Sequence, residues 1–308
     1  MSVLKERCSL CGSDKTEPYL NDSRILKCRE CGIVFLSQLV RIKNLDKYYS
    51  EGDFWHDSLT NPEEIEMSMK NSRKILKILG NYISNFENKK LLDIGARDGF
   101  FVKEALRAGY NAKGIDPNQK IAERAQERGL PIFESSIEDW KGEPSDVVTI
   151  FHVLEHLKDP QAVIDRIRGL LVSGGLLVLE VPDIESFLAI NHGISWRFIS
   201  LEHLFYFSLG TLTNMLKKAG FSILHSERRN FEIRYVSTKE IMQYFQPSVI
   251  NRDRFKMKVS SPKSSVELSK KMLLMHNFLR KSMIKNIAGK IVEMLGRGDH
   301  LFVIAKLN

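Results

Sequence analysis

The chain has 308 residues, enough for one large core with smaller attachments. Its 43% hydrophobic and 27% charged composition is that of an ordinary globular protein and excludes a fibrous repeat or a highly charged disordered chain. The first residues, MSVLKERC, lack the apolar core of a secretory leader, and no apolar run reaches the about 18 residues of a membrane span, so a cytoplasmic protein is expected.

The formal net charge is +8, and residues 226–299 hold 16 Lys and Arg against 7 Asp and Glu, so that segment carries the surplus. Such a segment suits an anionic small molecule, a lipid headgroup surface or RNA, and equally a solvated face of basic helices.

All four cysteines lie in the first 31 residues, as Cys8, Cys11, Cys28 and Cys31 in the pattern C-x2-C-x16-C-x2-C. This spacing reads as a zinc site, with four thiolates closing a tetrahedron. Gly12 and Gly32 follow the second cysteine of each pair, where a metal knuckle needs a positive φ. Two disulfides are the alternative, which a reducing compartment disfavours. With no fifth ligand in the pattern the zinc is expected to be structural, and residues 1–40 form a small zinc ribbon that the metal helps to fold. Within it, Arg24–Lys27 and Ile33–Leu36 read as short strands.

Residues 41–88 read as a linker and a helix. Tyr48, Tyr49, Phe54 and Trp55 make the linker aromatic, and Thr60-Asn61-Pro62-Glu63-Glu64 starts the helix with a polar cap, proline in the first turn and acids behind it. Met67, Ile75, Leu76, Ile78, Leu79 and Ile83 give that helix its apolar face.

From residue 89 to 230 strands alternate with helices. The strands are expected at Lys90–Ile94, Ala112–Ile115, Pro131–Glu134, Val147–Phe151, Leu176–Val181 and Phe221–His225. The helices between them are expected at Phe100–Ala108, Gln119–Arg128, Gln161–Leu171 and Leu209–Ala219, with Gly109, Gly129 and Gly220 closing three of them. Strands that are continuous apolar runs imply a mostly parallel, doubly wound α/β sheet covered on both faces. Residues 231–297 break the rhythm, because Leu268, Met272, Met275, Leu279, Met283, Ile287, Ile291 and Leu295 recur at helical spacing among lysines and arginines. They read as a helical insertion, a lid or substrate cap, before a last strand in residues 298–308 that pairs with Phe221–His225.

Three acidic features fall at the carboxyl ends of neighbouring strands, where open α/β sheets bind ligands. Asp93 ends the first strand of the sheet, just before the turn Gly95-Ala96-Arg97-Asp98-Gly99. Asp116 ends the second strand, 21 residues after Gly95, placed to accept both hydroxyls of a ribose. Ser136-Ile137-Glu138-Asp139 follows the third, with Ile137 to lie on an adenine and Glu138 or Asp139 to accept from its amino group. An acid ahead of G-x-x-x-G disfavours a pyrophosphate and favours an ammonium group.

Residues 89–225 with the closing strand resemble class I S-adenosylmethionine-dependent methyltransferases. The family's first motif, D-x-G-x-G-x-G, is matched by Asp93, Gly95 and Gly99, with Arg97 in place of its middle glycine. Asp116 matches the acid after the second strand. Phe151-His152-Val153-Leu154-Glu155-His156-Leu157 and Glu202-His203-Leu204-Phe205-Tyr206-Phe207-Ser208 are similar to stretches of a small-molecule subgroup. The resemblance implies a seven-stranded sheet closed by two antiparallel strands. It also implies S-adenosylmethionine held by Asp93, Gly95, Ala96, Gly99, Asp116, Ile137, Glu138 and Asp139, with His152 beside it. The cysteine module ahead of this core resembles sugar C-methyltransferases, in which a tyrosine and a Glu-His pair act near the transferred methyl. This chain keeps Glu202-His203 and has Ser200 where the tyrosine is expected.

The expected function is methyl transfer to a small molecule, a sugar or glycan intermediate, at oxygen or carbon. His203, His156 and Glu202 are the expected catalytic residues, since an imidazole is a general base near neutral pH. Asp183 is a candidate substrate contact. The alternative is an RNA methyltransferase that grips phosphates through the zinc ribbon and the basic insertion. Peripheral membrane contact and oligomeric state stay open.

Overall fold

The computed structural model describes residues 6–42, 62–229 and 298–308. Most of the expected aromatic linker and the expected helical insertion over 231–297 lie outside the described residues.

Seven strands form the main sheet: β4 (Lys90–Ile94), β5 (Asn111–Asp116), β6 (Ile132–Glu134), β7 (Ser145–Phe151), β8 (Leu171–Pro182), β10 (Phe221–Arg229) and β11 (His300–Leu307). Their spatial order is β10-β11-β8-β7-β4-β5-β6. Ladders among β4 to β8 are parallel, whereas β11 pairs antiparallel with both β8 and β10. A single reversed strand therefore makes both antiparallel ladders at that edge, and β10 runs with the rest. The expected pairing of the last strand with the Phe221 strand is present, and β11 also wedges between β10 and β8.

Alternate residues of each buried strand feed two cores, as the two-residue strand period requires. Leu91, Val147, Val178 and Phe302 face one core with α1 (Pro62–Leu79), α2 (Phe100–Arg107) and α3 (Gln119–Glu127). Leu92, Val148, Leu179 and Val303 face the other with α4 (Pro160–Gly169) and, after the short helix α5 (Phe187–His192), α6 (Leu209–Lys218). The expected helix at Pro62 forms and buries Ile75, Leu76 and Leu79, but it ends before Ile83. Strand β8 differs from expectation by starting at Leu171. It runs through Gly174-Gly175, where a positive φ of 74° at Gly174 bends the chain while the ladder to β7 shifts register.

The N-terminal segment is a ribbon of β1 (Thr16–Tyr19), β2 (Asp22–Cys28) and β3 (Val34–Leu36). A tight turn at Leu20 and Asn21, both at positive φ, joins β1 to β2. Its third strand pairs with β9 (Phe205–Tyr206), a strand contributed by the α/β part of the chain, through Val34↔Tyr206 and Phe35↔Phe205. Cys8, Cys28, Phe35 and Phe205 belong to the same hydrophobic cluster as the main sheet. The ribbon is thus laid onto the core by a shared sheet and shared apolar burial.

Phe35 and Phe205 are both fully buried in this seam. Truncating Phe35 to alanine is expected to cost about 3–5 kcal/mol. Because the seam is shared, urea unfolding followed by cysteine reactivity and by tryptophan fluorescence should give one coincident transition. Two separated transitions would show that the ribbon folds as an independent unit.

Candidate active site

The site begins where β4 ends. Gly95 turns the chain at φ 72°, and its N–H and that of Ala96 donate to the carbonyl of Ile115 at 2.9 and 3.0 Å. A Cβ at Gly95 would sit 2.3 Å from Cγ2 of Val153, so no larger residue fits there. Arg97 also takes a left-handed φ, 47°, with its side chain exposed. Its backbone N–H donates to Oδ2 of Asp116 at 3.0 Å, and the N–H of Asn118 donates to Oδ1 at 3.0 Å. The loop after β4 and the acid after β5 are therefore fixed to each other by the acid's own oxygens. Gly99, at φ 73°, caps α2, and its hydrogen faces Leu130 and Ile132.

Asp93 is 4% exposed and accepts a hydrogen bond from the Thr149 hydroxyl at 2.6 Å. Burial pushes its carboxyl up to about 7, against the pull of the Thr149 bond and with the help of the Asp116 charge. Burial also raises Asp116, against the two backbone N–H groups it accepts. These two buried acids line one end of a cavity of about 1260 Å³.

The other end of the cavity is built on the segment after β7. His152, at φ 55°, stands between two buried carboxylates, with Nδ1 3.8 Å from Glu155 and Nε2 3.7 Å from Glu180. Burial alone would lower its pKa; the two carboxylates outweigh it and hold the imidazole at about 9. Glu155 answers in kind: burial pushes it up, and His152 with the neighbouring imidazoles brings it down to about 2. A short 3-10 turn, Leu154–His156, aims His156 at the stretch before β9. There Nδ1 of His156 meets the carbonyl of Glu202 at 3.0 Å, and since a carbonyl only accepts, Nδ1 carries the proton. The rings of His156 and His203 lie 4.6 Å apart and nearly perpendicular. Burial drives His203 down to about 3, with the His156 charge acting the same way, so it is a neutral imidazole at physiological pH. Phe198 lies parallel to the His203 ring with centroids 6.0 Å apart.

Most residues expected at the site line this one cavity: Asp93, Gly95, Ala96, Asp116, Glu138, Asp139, His152, His156, Glu202 and His203. Three expected residues lie apart from the cavity lining. Ile137 is buried in the same hydrophobic cluster as Val163 and Ile164, and Pro117 and Ile121 are apolar residues that line the cavity. Gly99 shapes the turn and does not line the cavity. Asp183 is fully buried away from the cavity and is bonded to Arg228 at 2.6 Å. Sequence reasoning missed Glu155 and Glu180 as site residues. A lone acid inside the apolar run Leu176-Leu177-Val178-Leu179-Glu180-Val181 was a usable signal for Glu180, since such an acid must find a buried partner.

At the ribbon, the sulfurs of Cys8 and Cys31 are 3.7 Å apart and those of Cys11 and Cys28 are 3.6 Å apart. All four lie within 4.8 Å of one another. A tetrahedral zinc with bonds of about 2.3 Å sets its sulfurs about 3.8 Å apart, so the four thiols fit such an ion, whereas a disulfide needs about 2.05 Å. Gly12 and Gly32 take positive φ, and their N–H groups return to the carbonyls of Cys8 and Cys28, closing both knuckles.

A family model described as a methyltransferase domain matches residues 65–226, over half of the chain. The chain is 34% identical over 102 residues to the ubiquinone biosynthesis O-methyltransferase of Actinobacillus pleuropneumoniae, covering 29% of this chain and 44% of that one. It is 22% identical over 207 residues to the C-methyltransferase NovU of Streptomyces niveus, covering 65% of this chain and 46% of that one. In both cases the match spans less than half of the relative's length. Among solved structures, a candidate sarcosine dimethylglycine methyltransferase of Galdieria sulphuraria superposes with a TM-score of 0.50 at 14% identity, over 86% of this chain and 98% of that one. That likeness shows the same α/β fold. No helix among the described residues is long and apolar enough to cross a membrane.

The two glycine-like positions of the loop make opposite demands. Arg97→Gly trades a left-handed strain of about 1–2 kcal/mol for a similar gain in unfolded freedom, so stability should stay within about 1 kcal/mol. Gly95→Ala drives a methyl into Val153 and should lose about 2–4 kcal/mol, read from thermal or urea unfolding.

Proposed function

Because the chain belongs to the methyltransferase domain family, we propose that it transfers a methyl group from S-adenosylmethionine to a small-molecule acceptor inside this cavity. The observation that carries the reading is the pairing of two ends in one space: two buried acids at one, and a neutral imidazole beside a second imidazole at the other. S-adenosylmethionine supplies, when bound, an electrophilic methyl on a sulfonium.

The residues fit that cofactor on the chain's own chemistry. Asp93 is a desolvated carboxylate that gains most from an ammonium partner. Asp116 is fixed by two backbone donors and keeps lone pairs for ribose hydroxyls. Glu138 and Asp139 also line the cavity, and their carboxylates are acceptors of the kind an adenine amino group needs. At the acceptor end, His203 takes the proton of the attacking group, His156 packs against it, and the Glu202 carbonyl fixes the His156 tautomer. Positioning of the acceptor in line with the methyl supplies much of the rate. A sugar or glycan intermediate, methylated at oxygen or carbon, is the acceptor class to assay first. In the ribbon, zinc held by Cys8, Cys11, Cys28 and Cys31 is structural.

Calorimetry on the purified chain should show S-adenosylmethionine binding, and no heat at high concentration would sink the reading. The Asp93 carboxyl, with its folded pKa raised to about 7, favours the cofactor-free fold while protonated. That contribution is lost as pH rises through about 7, and the ionised form then gained is the one that pairs with an ammonium. Cofactor affinity should therefore rise about eightfold between pH 6 and 7.5, and Asp93→Asn should flatten the profile. His203→Ala should keep cofactor affinity within about twofold and lower kcat by about 10²–10⁴. Unchanged turnover would remove His203 from the reaction.

A further inference from the structure

The turn at residues 136–140, between β6 and β7, is a single helical turn closed by the N–H of Trp140 on the carbonyl of Ser136 at 3.1 Å. A turn of that length leaves its later carbonyls without partners inside it. Arg166 of α4 supplies two: its Nε donates to the carbonyl of Ile137 at 3.4 Å, and its Nη2 donates to the carbonyl of Trp140. One planar, permanently charged guanidinium thus spans the turn. Ile137 anchors the same turn from beneath, buried in the cluster that takes Val163, Ile164 and Ile167 of α4. Asp159, Ala162, Val163 and Arg166 recur at helical spacing and line the cavity, so Arg166 stands on the face of α4 turned to the site.

We propose that Arg166 is a positioning residue that sets which purine the cavity accepts: by holding the turn through two of its carbonyls, it keeps the turn's acceptors fixed against the edge of the base, so that an adenine is preferred to a hypoxanthine. The turn carries the groups for such a reading. The Ser136 hydroxyl donates to Oδ2 of Asp139 at 2.8 Å, and the N–H of Asp139 donates back to Oγ of Ser136 at 3.1 Å. The Asp139 carboxylate is therefore tied to the turn by one oxygen and keeps lone pairs on the other. Adenine offers an amino donor where hypoxanthine offers a carbonyl, so a fixed carboxylate rewards the first and meets the second acceptor to acceptor. A carboxylate on a loose turn swings aside or admits water between, and the discrimination is lost. Asp139 and Glu138 are themselves exposed, so the fixing has to come from the backbone beneath them, which is where Arg166 acts. The inference rests on the methyltransfer reading for its cofactor and adds the residue that makes the base end selective.

The test is calorimetry on the full chain with two probes, S-adenosylhomocysteine and S-inosylhomocysteine, which differ only at that edge of the base. The unsubstituted chain should favour the adenosyl probe by at least about tenfold, the worth of one hydrogen bond to a charged acceptor. Arg166→Lys keeps the charge and loses the fork, and should bring the ratio down to about threefold or less, mainly by weakening the adenosyl probe. Arg166→Gln gives a second reading should the lysine variant unfold, with thermal unfolding as the check on both. Arg168→Lys, on the exposed side of the same helix and away from the cavity, should leave the ratio unchanged. A ratio near one in the unsubstituted chain, or a ratio that neither folded Arg166 variant lowers, overturns the proposal while binding of the adenosyl probe leaves the methyltransfer reading standing. A chain that binds neither probe overturns that reading and the inference with it.

Discussion

The backbone of Leu204 joins the parts on which this site depends. Its carbonyl accepts from the N–H of Leu36 in the ribbon at 2.9 Å, and its N–H donates to the carbonyl of Glu155 at 2.8 Å. One residue earlier stands His203, and two residues earlier the Glu202 carbonyl receives the proton of His156. A stretch with only two residues of strand is thus pinned from both sides, by the ribbon and by the turn that carries Glu155 and His156. The Tyr206 hydroxyl adds a third tie, donating to the carbonyl of Ser200 at 3.1 Å just ahead of the imidazole pair. The ribbon therefore contributes to the site although none of its described residues lines the cavity.

This arrangement gives the four cysteines a mechanical meaning. A ribbon of this size buries little apolar surface by itself, and its four thiols, all within 4.8 Å of one another, are a set whose closure on a metal would add the missing free energy. The order so gained passes through β3 to β9, because ladder bonds and the Phe35–Phe205 seam transmit position rather than charge. The expected division between a zinc module at 1–40 and a core from 89 onward is accordingly a division of sequence. In space the two share a sheet.

How much of this was legible depended on whether the signal was local. The strands β4, β5, β7 and β8 showed in the sequence because burial on both faces demands continuous apolar runs. Asp93 and Asp116 showed because strand ends are where such sheets place ligand groups. The cysteine knuckles showed from spacing alone. Strand β1 did not, because its hairpin turns on Leu20-Asn21, where a leucine occupies a left-handed position that normally signals glycine. Nor did β9, whose partner lies about 170 residues away and whose two residues carry no periodicity. Ile137 misled for a related reason: an apolar residue in a polar turn has two places to go, and only the packing of α4 against β7 and β8 decides that it goes inward.

Glu155 and Asp93 show why exposure alone does not fix the state of a buried acid. Both are almost fully buried. Asp93 has a hydroxyl donor and a second acid nearby, so burial wins and its carboxyl rises to about 7. Glu155 faces the His152 imidazole, held cationic in turn by Glu180, so burial loses and its carboxyl falls to about 2. The first acid awaits a cation from outside, which suits a group that meets the charged end of an arriving cofactor. The second is ionised before anything arrives, which suits a group that must hold a fixed partner throughout. The two ends of the cavity thus differ through the placement of one histidine, since His152, which lines the cavity, also sets the charge of Glu155.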